Sequence, residues 1–255
     1  MYGRIQIKQL NPYIYLLDDK QESSGYLVVG EEKALVVDTM MGYEDVKAVV
    51  RKITDLPLMV VNTHGHPDHI YGDIYFDKVY MNPADFPIAE GFMKDPQFIS
   101  ECRKRNLRMP EFAPIYPGDR IDLGKVEVEV IGLPGHTPGS ICLFIRKDGI
   151  LFSGDSILEQ TWMQLPESLP IDEFLKNLNG LKPVLEETRY LLTGHNQDFV
   201  DVSFCEEHRE AVAQVCAGKN ENDVAYQWFG GVCMAHPYGP EPRKIVYSDG
   251  SFRKN

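Results

Sequence analysis

Seven consecutive residues, Thr63-His64-Gly65-His66-Pro67-Asp68-His69, carry three imidazoles and one carboxylate just after the apolar run Leu58-Met59-Val60-Val61. Such a stretch limits the fold, because each imidazole or carboxylate needs a partner once it is buried. In an extended loop side chains alternate with period two, so His64 and His66 point the same way. Asp68 and His69 then fall on a different side. That arrangement suits two adjacent metal ions better than one. The chain has 7 histidines, so these three leave four from which a site could be completed.

A length of 255 residues allows one large α/β domain or two small ones, with a core of useful size. Hydrophobic residues at 43% and charged residues at 25% are ordinary for a soluble globular protein. Lys+Arg number 26 against 38 Asp+Glu, a net charge of −12 that opposes nucleic-acid backbones and anionic membrane surfaces. Bound divalent cations would offset part of it locally. The opening Met1-Tyr2-Gly3-Arg4-Ile5-Gln6-Ile7-Lys8 alternates polar and apolar residues and has no signal-peptide core. No run of about 18 apolar residues marks a membrane span. Cys102, Cys142, Cys205, Cys216 and Cys233 are odd in number, widely spaced and free of a CxxC pair. They read as reduced, packed thiols of a cytoplasmic protein and not as metal ligands.

Along the chain, strands are expected at 5–10, 13–17, 25–30 and 34–38 as an antiparallel meander, with Asn11-Pro12 as a turn. Asp38 ends the last of them, as a structural acceptor or as part of a site. Val46, Val49, Val50 and Ile53 have helical spacing. Residues 58–61 form a short buried strand whose C-terminal end releases the histidine stretch, a common place for ligands in α/β folds. A short helix starts at Asp68, and a strand covers 78–81. Residues 82–118 break the pattern, with short helices at 88–93 and 98–107 and a loop at 109–114. Arg103, Lys104, Arg105 and Arg108 read as a solvated helix face, the alternative being cations that meet an anionic substrate. Strands follow at 120–123, 126–131, 140–145 and 150–153, then a helix within 170–181, a strand at 190–192, a helix at 203–215 and a last strand at 244–247. Between 215 and 244 no element is legible. The order strands–helix–strand thus occurs twice, which points to two sheets packed face to face with helices outside, in one domain over 1–255. The domain carries an insertion at 82–118 and an extension after about 197.

Three further residues are candidate partners. His136 lies in Pro134-Gly135-His136-Thr137-Pro138-Gly139, whose glycines and prolines fix the backbone around it. Asp155 follows the apolar strand end Leu151-Phe152-Ser153-Gly154, and His195 follows Leu191-Leu192-Thr193-Gly194. Strand ends can therefore deliver His64, His66, Asp155 and His195 to one edge. Of the remaining histidines, His208 beside Glu206-Glu207 reads as solvated, and His236 sits in a proline-rich loop that could approach a pocket.

In these motifs, over about residues 13–197, the chain resembles the metallo-β-lactamase superfamily. The resemblance implies an α/β fold, the four-layer αβ/βα sandwich, with a dinuclear site along one edge of the sheets. It implies His64, His66 and His136 on a first metal, Asp68, His69 and His195 on a second, and Asp155 bridging them. Histidine and carboxylate ligands suit two Zn²⁺, with Fe or Mn as alternatives. The family's diiron electron-transfer members carry a carboxylate where this chain has His66, which favours hydrolysis. Two cations roughly 3.5–4 Å apart can share a hydroxide with a pKa near about 7, which attacks a carbonyl. Asp68 would orient that nucleophile or pass a proton to the leaving group.

The implied enzyme hydrolyses a small-molecule ester, thioester or lactone. The glyoxalase II type shares the motifs, but it has a C-terminal helical domain, and the long 82–118 insertion is a departure from it. Lactonases of the superfamily would use an apolar pocket. Trp162, Met163, Tyr226, Trp228 and Phe229 either line one or serve as ordinary packing. The alternatives are a mononuclear-iron persulfide dioxygenase, disfavoured by the glycine-poor Ser156-Ile157-Leu158-Glu159-Gln160-Thr161, and a β-lactam hydrolase. Nuclease activity is opposed by the charge. A homodimer is left open.

Overall fold

The computed structural model describes residues 3–252. Met1 and Tyr2 of the alternating N-terminal stretch, and Arg253, Lys254 and Asn255, lie outside the described residues. The first sheet runs in chain order through β1 (Gln6–Gln9), β2 (Ile14–Asp18), β3 (Ser24–Val29), β4 (Ala34–Val37), β5 (Leu58–Val61), β6 (Val79–Met81) and β7 (Phe112–Pro114). The first four strands form the expected antiparallel meander, and β4 to β7 pair in parallel. The second sheet repeats that scheme. β8 (Arg120–Asp122), β9 (Glu127–Gly132), β10 (Ile141–Ile145) and β11 (Ile150–Gly154) form a meander. The chain then leaves for β12 (Gln160–Trp162) and returns with β13 (Tyr190–Thr193), parallel to β11, and the edge strand β14 (Val200–Asp201).

Side-chain alternation builds the layers. Leu16, Val37 and Val61 of the first sheet meet Val130, Leu143 and Phe152 of the second in the central core. Their neighbours Leu17, Val36 and Val60 turn the other way, onto Val46, Val49 and Val50 of α1 (Val46–Val50). A strand buried on both faces must be apolar at every position, as β4 is. On the far side, Phe144, Leu151 and Leu191 pack under helices described below. The αβ/βα sandwich is therefore present.

The histidine stretch enters α2 (Pro67–Ile70). The 82–118 insertion contains α3 (Phe86–Phe92) and α4 (Pro96–Arg105). Asp95 starts α4 by accepting from the backbone N–H of Gln97 and Phe98, and Asn106 ends it in the left-handed conformation. Within the basic cluster, Arg103, Lys104 and Arg108 are exposed, whereas Arg105 is half-buried and donates to the Gly42 carbonyl and to Tyr75. Residues 112–114, expected as loop, form the edge strand β7. Three residues ending in proline give no periodicity, and proline is tolerated only at a sheet edge.

α5 (Ile171–Gly180), α6 (Lys182–Leu185) and α7 (Ser203–Cys216) cover the second sheet. The illegible region folds as a hairpin, β15 (Val224–Trp228) and β16 (Gly231–Pro237), which joins the expected β17 (Lys244–Tyr247) and β12 in a third sheet. Trp228 pairs with Gly231, leaving Phe229-Gly230 as a two-residue turn. That glycine-containing turn between aromatic and β-branched runs was the available signal. Met163 is fully buried, while Trp162, Tyr226, Trp228 and Phe229 form a ring cluster with Phe229 87% exposed. No helix among the described residues is long and apolar enough to cross a membrane.

His208 overturns the expectation of a solvated ring. It is fully buried on α7 among Phe204, Cys205, Ala211, Val212 and Val215, a spacing that places it mid-way along the apolar face. Its Nε2 meets Thr161 Oγ1 at 2.8 Å, and its Nδ1 has no partner. Burial pushes its pKa down to about 3. In the unfolded chain the ring titrates near about 6.5. Between these values the unfolded chain holds a proton that the native one excludes, so stability falls as pH drops through that window. From pH 7 to pH 5 the loss is about 2 kcal/mol. Urea unfolding of the parent chain and of His208→Gln at both pH values checks this. The variant should lose less on acidification, and parallel losses would show that the ring is not held neutral. His236 is also buried, against Asp223 and Gln214, in a setting separate from the other histidines.

Candidate metal centre

β5 ends at Val61, the chain bends through Thr63, His64 and Gly65, and His66, itself extended, stands at the N-cap of α2 with Pro67 as the first helical residue. The N–H groups of His69 and Ile70 then return to the His66 carbonyl. A bend followed by a helical turn, in place of the extended loop expected, separates the stretch into two sets. His64, His66 and His136 form one, all buried, and Asp68, His69, Asp155 and His195 form the other. Within each set the ligand atoms lie within 4.8 Å of one another. All seven expected residues are brought together.

Asp155 stands between the sets. Its Oδ1 lies 3.3 Å from His69 Nε2, and its Oδ2 lies 3.2 Å from His195 Nε2 and 3.8 Å from His136 Nε2. Asp68 closes the second set, 3.5 Å from His69 Nε2 and 3.4 Å from His195 Nε2. The Asp68 and His195 side chains are the more exposed members, at 32% and 28%, and form the open side.

In four of the histidines the outer ring nitrogen is occupied. His69 Nδ1 donates to Asp38 Oδ2 at 2.8 Å, His66 Nε2 to Glu167 Oε1 at 2.8 Å, and His136 Nδ1 to the Trp162 carbonyl at 2.8 Å. The Thr63 hydroxyl donates to Asp38, so at 3.0 Å it accepts from His64 Nδ1. The remaining nitrogen of each ring, Nδ1 of His66 and Nε2 of the others, turns inward. Outer partners of this kind fix the tautomer and aim of metal-binding imidazoles.

Three of the inner atoms lack partners. His64 Nε2, His69 Nε2 and Asp155 Oδ1 are buried without a hydrogen bond, the last two being close but not aligned. Buried polar atoms are normally satisfied, so this grouping calls for a bound species. Burial, reinforced by His69 and His66, pushes His64 well below the usual imidazole range, and burial and His66 bring His136 down to about 4. His64 and His136 are therefore neutral nitrogen donors. In the second set, burial opposes charge on His69, but Asp155, Asp68 and Asp38 outweigh it and hold the ring well above its ordinary value. Burial likewise opposes charge on Asp155, and His195 and His69 reverse the shift, leaving the carboxyl well below its usual range. A field that retains a proton on His69 also favours a cation there. Imidazole and carboxylate donors without a thiolate therefore fit metal ions in both places.

Asp38, left open between two roles, is an outer acceptor, serving the Thr63 N–H at 2.7 Å as well as the Thr63 hydroxyl and His69. Glu167 was missed by sequence reasoning. It lies in a turn between β12 and α5, 101 residues from the histidine it orients. The insertion reaches the site through Phe92, whose ring stands edge-on to His66 at 5.8 Å.

A family model described as the metallo-beta-lactamase superfamily matches residues 19–195. This chain belongs to the metallo-beta-lactamase superfamily. The acyl-coenzyme A thioesterase MBLAC2 of Bos taurus is 29% identical over 226 residues, covering 75% of this chain and 81% of its own. A hydroxyacylglutathione hydrolase of Thermosynechococcus vestitus is 27% identical over 177 residues, covering 69% of this chain and 61% of its own. The crystal structure of a metallo-beta-lactamase family protein from Thermus thermophilus superposes with a TM-score of 0.63 at 20% identity, covering 84% of each chain, which supports the fold. The expectation of a metal-dependent hydrolase stands with these relatives.

Proposed function

We propose that this superfamily member is a dinuclear zinc hydrolase acting on small-molecule acyl thioesters in the cytoplasm. The observation that carries the reading is Asp155, whose carboxylate meets His136 of the first set on one side and the Asp68–His69–His195 set on the other. His64, His66 and His136 would hold one ion, Asp68, His69 and His195 the other, and Asp155 both. Zinc bound there supplies Lewis acidity, lowering the pKa of water to about 7 and polarising a carbonyl.

The chain's own residues do the rest. Asp38, Thr63, Glu167 and the Trp162 carbonyl hold the rings in one tautomer, so that the donors need no rearrangement during turnover. Asp68, on the open side, takes the proton of the attacking water on a carboxylate oxygen. The seven site residues offer imidazoles and carboxylates only. A thiol, ionising near about 8.5, leaves as its thiolate with little help from an acid, whereas an amine does not. Both relatives named above act, by their descriptions, on acyl compounds of thiols, which supports thioesters over β-lactams.

The test is metal analysis of the purified protein with a panel of acyl-coenzyme A, hydroxyacylglutathione, acyl-homoserine lactone and β-lactam substrates. The expected result is two zinc ions per chain and release of free thiol from at least one thioester. A single iron with oxygen consumption, or turnover confined to β-lactams, would overturn it.

A further inference from the structure

The two loops that carry the first ligand set come from opposite halves of the sandwich. His64 and His66 follow β5 of the first sheet, and His136 lies between β9 and β10 of the second. Their inward nitrogens, His66 Nδ1 and His136 Nε2, are 2.9 Å apart. A single carboxylate that belongs to neither loop spans them. Asp85, from the start of the 82–118 insertion, is fully buried. Its Oδ2 accepts from the Gly65 N–H at 2.8 Å and the Thr137 hydroxyl at 2.6 Å, and its Oδ1 accepts from the Gly139 N–H at 2.6 Å. Gly65 separates His64 from His66, and Thr137 follows His136 directly.

The approach is close enough to explain both glycines. A Cβ on Gly139 would stand 2.6 Å from Asp85 Oδ1 and 2.7 Å from its backbone nitrogen, and one on Gly65 would stand 3.0 Å from its carbonyl oxygen. Asp85 is itself held, its N–H donating to the Asn82 carbonyl. Three donors and no acceptor face the carboxylate, so an amide could not replace it without setting one N–H against another.

We propose that Asp85 is a positioning residue that fixes the register of the His64/His66 loop against the His136 turn, and thereby the geometry of the first metal position. This rests on the metal-centre reading above. The insertion then clasps the two halves at the point where their ligands converge. Loss of one acceptor leaves a buried donor unpaired and frees the loops to drift, and ligand sets tolerate displacements of only about 0.5 Å.

The test titrates metal-free protein with Zn²⁺ and with Co²⁺ alone, without substrate. Asp85→Asn is expected to bind one of its two ions about 10–100-fold more weakly, the usual effect of removing an outer partner, with a changed Co²⁺ visible spectrum for that ion. The other ion should keep the parent affinity. Thr137→Val removes one of the three contacts at nearly constant volume and should shift the same ion in the same direction by less, which keeps the test available if Asp85→Asn does not fold. A lowered melting temperature with unchanged affinity and spectrum would overturn the positioning role. A parent chain that binds neither ion would overturn the metal-centre reading and this role with it. Loss of both ions equally, in either folded variant, would show that Asp85 supports the fold and not the first position.

Discussion

Asp155→Asn is expected to lower thioester turnover by at least about 10³-fold, about 4 kcal/mol of transition-state stabilisation. The substitution keeps shape and removes charge, so the effect reports on the site and not on packing. Asp155 is the carboxylate whose oxygens face both ligand sets, 3.3 Å from His69, 3.2 Å from His195 and 3.8 Å from His136. An amide there offers one oxygen and one NH₂ group, and the NH₂ group points at a ring nitrogen or at a cation. One of two bound ions should be lost with the activity. Metal analysis beside an assay of released thiol checks both. Near-parent turnover with two ions retained would remove Asp155 from the reaction.

Asp38→Ala should produce the largest loss of stability, about 3–5 kcal/mol. Three buried donors, the Thr63 N–H, the Thr63 hydroxyl and His69 Nδ1, would lose their acceptor at once. Each unpaired donor costs about 1–3 kcal/mol before relaxation. The backbone adds to this, because Asp38 has φ +58°, which aspartate and asparagine tolerate better than alanine. Asp38→Asn separates the two effects. Asparagine keeps the backbone and one acceptor but sets its amide against Thr63 or His69. It should fold with a smaller loss and bind one ion about 10–100-fold more weakly, because His69 is no longer held in one tautomer. Urea unfolding and metal titration of both variants decide the matter. An Asn variant with full metal affinity would reduce Asp38 to a fold-stabilising acceptor.

The candidate site was legible where its signals are local. His64, His66, Asp68 and His69 sit within six residues, and His136, Asp155 and His195 each stand beside a glycine at a strand end or in a rigid turn. The division into two sets was expected from period-two alternation and is present, but a bend at residues 63–65 and the turn into α2 produce it. The sandwich was legible for a similar reason, since strands buried on both faces must be apolar throughout. His208 was misread because its acidic neighbours outweighed the apolar spacing of α7. The β15–β16 hairpin was missed although its turn carries a glycine signal, and β12 is too short to show a period. Glu167 and Asp85 had no local signal, because a carboxylate in a turn or at a helix start looks the same whether it faces solvent or a histidine loop from the other half.

The sequence by itself determined which donor atoms this protein possesses and that they fall at the ends of strands. Tertiary structure alone decided which nitrogen of each ring faces inward and which carboxylates hold the loops in register. Those choices depend on hydrogen bonds between residues as far apart as His66 and Glu167. Such contacts exist only after two sheets, an insertion and the β12–α5 loop have packed against one another, and no spacing along the chain encodes their distances.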